Sequence, residues 1–97
     1  MEPDVALMVD DVEINRINFG ITPIESESIV SVDMWNKGKN KLLNIEVKPL
    51  HQDVSVKEYP KHLEPGERKR LVLRYKPIIQ LDRGIDSELL ITGGYVV

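Results

Sequence analysis

Two histidines, each with a carboxylate two residues on, are the first side chains in this sequence that could do chemistry: His51-x-Asp53 and His62-x-Glu64. In an extended segment that spacing sets both groups of a pair on one face. A zinc or copper centre would need the two pairs to converge into three or four ligands. Both pairs fall in connecting segments, where a histidine is ordinarily a solvated loop residue. Ser26, Ser28, Ser31, Ser55 and Ser87 stand in no nucleophile-elbow context, and neither a phosphate loop nor a dinucleotide glycine pattern occurs. There is no cysteine, so neither a thiolate nor a disulfide is possible. Arg68-Lys69-Arg70, with Arg74 and Lys76, could touch phosphates. Yet the net charge is −3 and only five residues are aromatic, whereas nucleic-acid surfaces combine a basic face with stacking rings. The run reads first as a solvated strand face or a protein contact. These residues predict no enzyme, no cofactor, no metal and no small-molecule substrate.

The elements that would position such groups are strands. A chain of 97 residues, 41% hydrophobic, suits one domain spanning residues 1–97, of sandwich or small-barrel size. Ser28–Trp35 alternates, with Val30, Val32 and Met34 on one side and Ile29, Ser31, Asp33 and Trp35 on the other. Leu43, Ile45 and Val47 alternate with Asn44, Glu46 and Lys48. Period-two alternation marks half-buried strands. The polar Asn36–Lys41 stretch between them predicts that the two arms form a hairpin. Lys69, Leu71, Leu73 and Tyr75 against Arg70, Val72, Arg74 and Lys76 make the clearest strand. Val5–Val9, Val54–Lys57 and Ser87–Thr92 read as further strands. Val12 to Phe19 reads as one strand whose phase slips at Asn15-Arg16, as a bulge would make it do. Leu63-Glu64-Pro65-Gly66 has the proline and glycine of a type II turn. Asp82-Arg83-Gly84 reads as a turn, and Gly93-Gly94 as a bend before Tyr95. About seven short strands without helical periodicity predict an all-β antiparallel sandwich.

Charge is unevenly spread. Residues 1–33 hold eight acids and one base, and residues 34–76 hold eleven bases and five acids. Acidic and basic strands facing one another across a sheet would satisfy this within one molecule. An acidic face on one copy meeting a basic face on the next would instead favour ordered assembly.

The order Ile17-Asn18-Phe19-Gly20, Trp35-Asn36-Lys37-Gly38, Leu42-Leu43-Asn44-Ile45, Leu63-Glu64-Pro65-Gly66-Glu67 and Leu71 to Pro77 resembles the immunoglobulin-like domains of the abnormal-spindle/Hydin type. Their relatives include the major sperm protein domain and the first domain of pilus chaperones. The likeness runs from about Val12 to Thr92. It implies a single immunoglobulin-like sandwich acting as a non-enzymatic binding and assembly module, in settings such as cytoskeletal, ciliary, adhesive and viral structures. It transfers no site residue, because the binding surfaces of such domains differ between members.

The expected partners are therefore proteins, among them copies of the chain itself, with the chain a virion, filament or scaffold component or an adaptor domain for a foreign protein. Candidate contacts are Ile29 and Trp35, which would share an outer patch or, for Trp35, cap the sandwich end. Arg70 and Arg74 lie on the basic face, and the tail residues Tyr95, Val96 and Val97 complete the chain's own sheet or extend a neighbour's. The acidic N-terminus lacks the apolar run of a signal peptide, and no stretch approaches the ~20 apolar residues that span a bilayer. The expectation is a soluble chain without membrane insertion, cytoplasmic or part of an assembly, and either a complete small protein or one domain of a longer one.

Overall fold

The computed structural model describes residues 4–79 and 84–96. Among these described residues nine strands run in chain order: β1 (Val5–Val9), β2 (Val12–Ile14), β3 (Ile17–Asn18), β4 (Ser28–Asn36), β5 (Leu42–Pro49), β6 (Val54–Glu58), β7 (Arg68–Tyr75), β8 (Asp86–Ser87) and β9 (Leu89–Tyr95). All described pairings are antiparallel, and the class is all-β as the alternation predicts. One layer is a five-stranded sheet in the order β2-β1-β4-β7-β6. The other joins β5 to β9 and β3 to β8, with only Glu88 between β8 and β9.

The core lies between the layers. Val32 and Met34 of β4, Leu71, Leu73 and Tyr75 of β7, and Leu7 of β1 meet Leu42 and Ile45 of β5, with Ile17 and Phe19 at one side and Leu63 at the other. The register explains the selection. Leu7 stands opposite Met34, Val32 opposite Leu71 and Val30 opposite Leu73, so the apolar halves of three alternating strands share one face.

Three sequence expectations are corrected. β4 and β5 do not form a hairpin: β4 bonds to β1 and β7, while β5 bonds to β9 in the opposite layer. The polar Asn36–Lys41 stretch crosses between layers. Val12–Phe19 is not one bulged strand; at Asn15-Arg16 the chain leaves β1 and joins β8, which splits it into β2 and β3. Gly93-Gly94 makes no bend, for β9 continues through both glycines to Tyr95. The true bulge is in β5. There Asn44 adopts a left-handed φ of 55° and the register with β9 shifts between Leu43 and Glu46. The extra residue brings Leu42 into the core and turns Leu43, expected inside, toward the opposite face.

The type II turn forms as read. Pro65 and Gly66 are its central residues, Gly66 at φ 78°, and the Glu67 N–H donates to the Glu64 carbonyl at 3.0 Å. Beside it Asn36 is wholly buried. Its amide donates to the Asn40 and Leu63 carbonyls at 3.0 Å each, and its Oδ1 accepts from the Gly38 N–H at 2.9 Å. The expected turn at Asp82-Arg83-Gly84 lies largely outside the described residues.

Candidate interaction surfaces

The histidine pairs do not build a metal centre. His51 Nδ1 accepts the Asp53 N–H at 3.0 Å, and its ring meets Tyr75 edge-on at 5.7 Å. His62 lines a different shallow hollow, with Asn44, Ile45 and Tyr59. Among the described residues no three His, Cys, Asp or Glu side chains group as ligands. Tyr75 is the one described side chain with a clear pKa displacement. Burial, and secondarily the Asp53 carboxylate, push its phenol above the ordinary range.

The outer face of the five-stranded sheet carries the basic run. Arg68 reaches over β4 toward the β1–β2 turn, 3.1 Å from Asp33, 3.5 Å from Asp11 and 2.6 Å from the Asp10 carbonyl. Arg74 Nε lies 3.3 Å from Glu27, without the alignment of a hydrogen bond. Arg70 stands opposite Asp33 in the ladder, and Lys37 lies 3.3 Å from Glu13. In each case a base from residues 34–76 meets an acid from residues 1–33. Part of the uneven charge is thus matched inside one molecule, through Lys37, Arg68 and Arg74 of the eleven bases in residues 34–76. Pairs this exposed contribute ~0–1 kcal/mol each.

Ile29 and Trp35 both face outward from β4, but Ser31 and Asp33 separate them, so they form no continuous apolar patch. Ile29 is exposed. Trp35 is half-buried, opposite Ala6 and beside Arg68, and stands outside the main core cluster. Tyr95 pairs with Leu42, and the Val96 N–H donates to the Lys41 carbonyl at 2.9 Å, so the described part of the tail extends the chain's own sheet. The Asp4 N–H donates to the Tyr95 hydroxyl. Val97 lies outside the described residues.

Two features that sequence reasoning missed lie on the side where the chain crosses from β2 to β3. The first is an apolar cleft of about 440 Å³ walled by Val9, Val12, Ile14, Ile17, Val30 and Val32, with Asp10, Arg16 and Asn18 at its rim. Val9 and Val12 point inward yet remain exposed, at 44% and 65%, because the two layers are not closed over them. The second is the outer edge of β9. Its even-numbered residues bond to β5, as the Leu50 N–H to Glu88 carbonyl and Val96 N–H to Lys41 carbonyl contacts fix. Odd-numbered residues therefore turn their backbone groups the other way. Ile85 and Ser87 use theirs on β3. Past Ser87, no described strand pairs with Leu89, Ile91, Gly93 or Tyr95 on that side.

The other edges are guarded. β2 is three residues long and flanked by Asp10 and Asp11. β6 carries Lys57 and Glu58 and an irregular register. The far edge of β5 is covered from Leu42 to Ile45 by Lys61 and Leu63, and Pro49 ends it without a donor. β9, Leu-Leu-Ile-Thr-Gly-Gly-Tyr, has no charge, no proline and no break in its run. The missing charge was visible in the sequence; that this strand lies at an edge was not. Comparison with models of protein families, with curated proteins and with solved structures found no match to this chain.

Proposed function

We infer that the chain is a non-catalytic interaction module that assembles into, or decorates, a larger protein complex. The observation that carries this reading is the uncharged edge of β9, with which no described strand pairs. Natural sheets suppress such edges with charge, proline, bulges or a cover, because a bare ladder recruits another strand. Strand addition to an edge is a recurring mode of protein recognition, in which backbone bonds supply affinity and side-chain pockets supply selectivity.

The topology supports an immunoglobulin-like sandwich. The order β1-β4-β7-β6 over β5-β9 parallels the A-B-E-D over C-F split of that architecture, with no described strand beside β9 at the position next to F. Internal ion pairs already engage Arg68, Arg74 and Lys37, three of the eleven bases that acid-to-base stacking of copies would draw on.

The test is a photo-crosslinking residue at Thr92, exposed at the middle of β9, in cells that make the protein. The expected result is a covalent adduct to a defined protein, mapped by mass spectrometry to an extended segment. Absence of any protein adduct at Thr92, with the folded chain present, would sink the reading.

A further inference from the structure

We propose that the occupant of the β9 edge is β9 of a second copy, paired antiparallel about a two-fold axis through Thr92. This rests on the interaction-module reading and names its partner. The edge that no described strand occupies runs from Leu89 to Tyr95, and Thr92 is its midpoint. In the Thr92-centred register the odd-numbered residues form the hydrogen-bonded pairs, Leu89 with Tyr95 of the second copy and Ile91 with Gly93 of the second copy. That gives about eight backbone hydrogen bonds, two for each such pair. The whole of that edge is used, and the ladder stops short of Ser87, which β3 already holds. A two-fold at Ile91 would instead set Tyr95 opposite that occupied position.

Side-chain size singles out the same register. On the exposed face Leu90 meets Gly94 and Thr92 meets Thr92; on the inner face Ile91 meets Gly93. Leu90 and Ile91 of the first half each meet a glycine of the second half, and Leu89 meets Tyr95. Space is open at Gly94, where an added Cβ would touch nothing within 4 Å, and Leu90 is 49% exposed with no described cover. Cross-strand threonine pairs are favourable, and a strand without charge meets no like-charge repulsion across a two-fold axis. A foreign strand would need to supply this alternation of large and small residues, which β9 already contains.

The experiment uses the full chain. Sedimentation equilibrium across concentration is expected to show a doubling of mass from 11.1 kDa, insensitive to salt because the contact is uncharged. Thr92→Lys places two ammonium groups opposite each other and is expected to weaken dimerisation at least tenfold, with the monomer's circular dichroism and melting unchanged. Thr92→Cys provides a second readout in a chain with no native cysteine. Directly opposed residues in a non-hydrogen-bonded pair have Cα atoms about 4.5 Å apart, within disulfide range. Mild oxidation should then yield the 92–92 linked dimer, while Ser55→Cys, on β6, yields none selectively. A monomer at every concentration without the 92–92 disulfide, or a dimer that persists in Thr92→Lys, would overturn the proposal. A monomer that still crosslinks through Thr92 to a different protein would overturn the second copy alone and leave the module reading standing.

Discussion

Replacing Asn36 should be among the most damaging single changes in this chain, and the damage should depend on pH in a variant-specific way. The side chain is fully buried and makes three hydrogen bonds, joining the end of β4 to the Asn36–Lys41 crossing and to the segment before the type II turn. In Asn36→Ala the Leu63 carbonyl still accepts from the Leu42 N–H, whereas the Gly38 N–H and Asn40 carbonyl lose their side-chain partner. A buried group left unpaired costs ~1–3 kcal/mol, and because the Gly38 and Asn40 groups are only part-buried the combined loss is about 1–3 kcal/mol. For a domain of this size that lowers the melting temperature by roughly 5–25 °C. Asn36→Asp keeps the acceptor for Gly38 but turns a carboxylate oxygen toward two carbonyls. The fold then favours the protonated acid, so the introduced carboxyl titrates above its unfolded value. A group raised in this way adds stability below its unfolded pKa and loses it as pH rises through the folded pKa. Urea unfolding of both variants, each measured against the parent at pH 7 and pH 4, is the assay. Asn36→Asp should be at least as harmful as Asn36→Ala at pH 7 and less harmful at pH 4. An Asn36→Ala loss below about 1 kcal/mol, or an Asn36→Asp deficit that does not shrink on acidification, would refute the reasoning.

Gly66→Ala should cost about 1–2 kcal/mol purely through backbone strain, because φ is 78° and no atom lies within 4 Å of the added Cβ. Gly66→Asn should recover part of it, and denaturant midpoints check both. Tyr75 contributes a neutral phenol whose folded pKa is raised, so its share of stability is present below an unfolded value of about 10 and is lost as pH rises through the folded value. Tyr75→Phe keeps the ring beside Phe19, 5.5 Å between centroids, and should move alkaline unfolding to higher pH as followed by circular dichroism; an unchanged midpoint would count against the burial argument.

Local patterns were read well where one strand's own residues decide the outcome. β7 was legible because Leu71, Leu73 and Tyr75 alternate with Arg70, Val72 and Arg74, and the turn at Pro65-Gly66 because that pair favours the type II conformation. Pairing was not legible. Alternation says that Ser28–Asn36 and Leu42–Pro49 each have a buried face, but not which neighbour satisfies the backbone. Here residues more distant in sequence won both arms. The bulge at Asn44 was hidden because Leu42 and Leu43 are both apolar, so either phase looked acceptable. The open edge of β9 was invisible for the same reason as the false hairpin: edge status belongs to the assembled sheet, not to the strand.

The crossing from β2 to β3 also sets the order in which the molecule can form. Arg16 meets Glu88 across 72 residues of chain, and Asn18 meets Asp86 across 68. β5, beyond its bridge to Leu63, likewise waits for β9 as its strand partner. Neither pairing in the second layer can begin until nearly all of the sequence is available, whereas β6 and β7 are joined by one short connection. Such non-local closure slows folding toward milliseconds to seconds. During synthesis the five-stranded sheet can gather first while its inner face, with Val32, Met34, Leu71 and Leu73, stays uncovered. The nascent chain is then most vulnerable to aggregation just before Leu89–Tyr95 emerges.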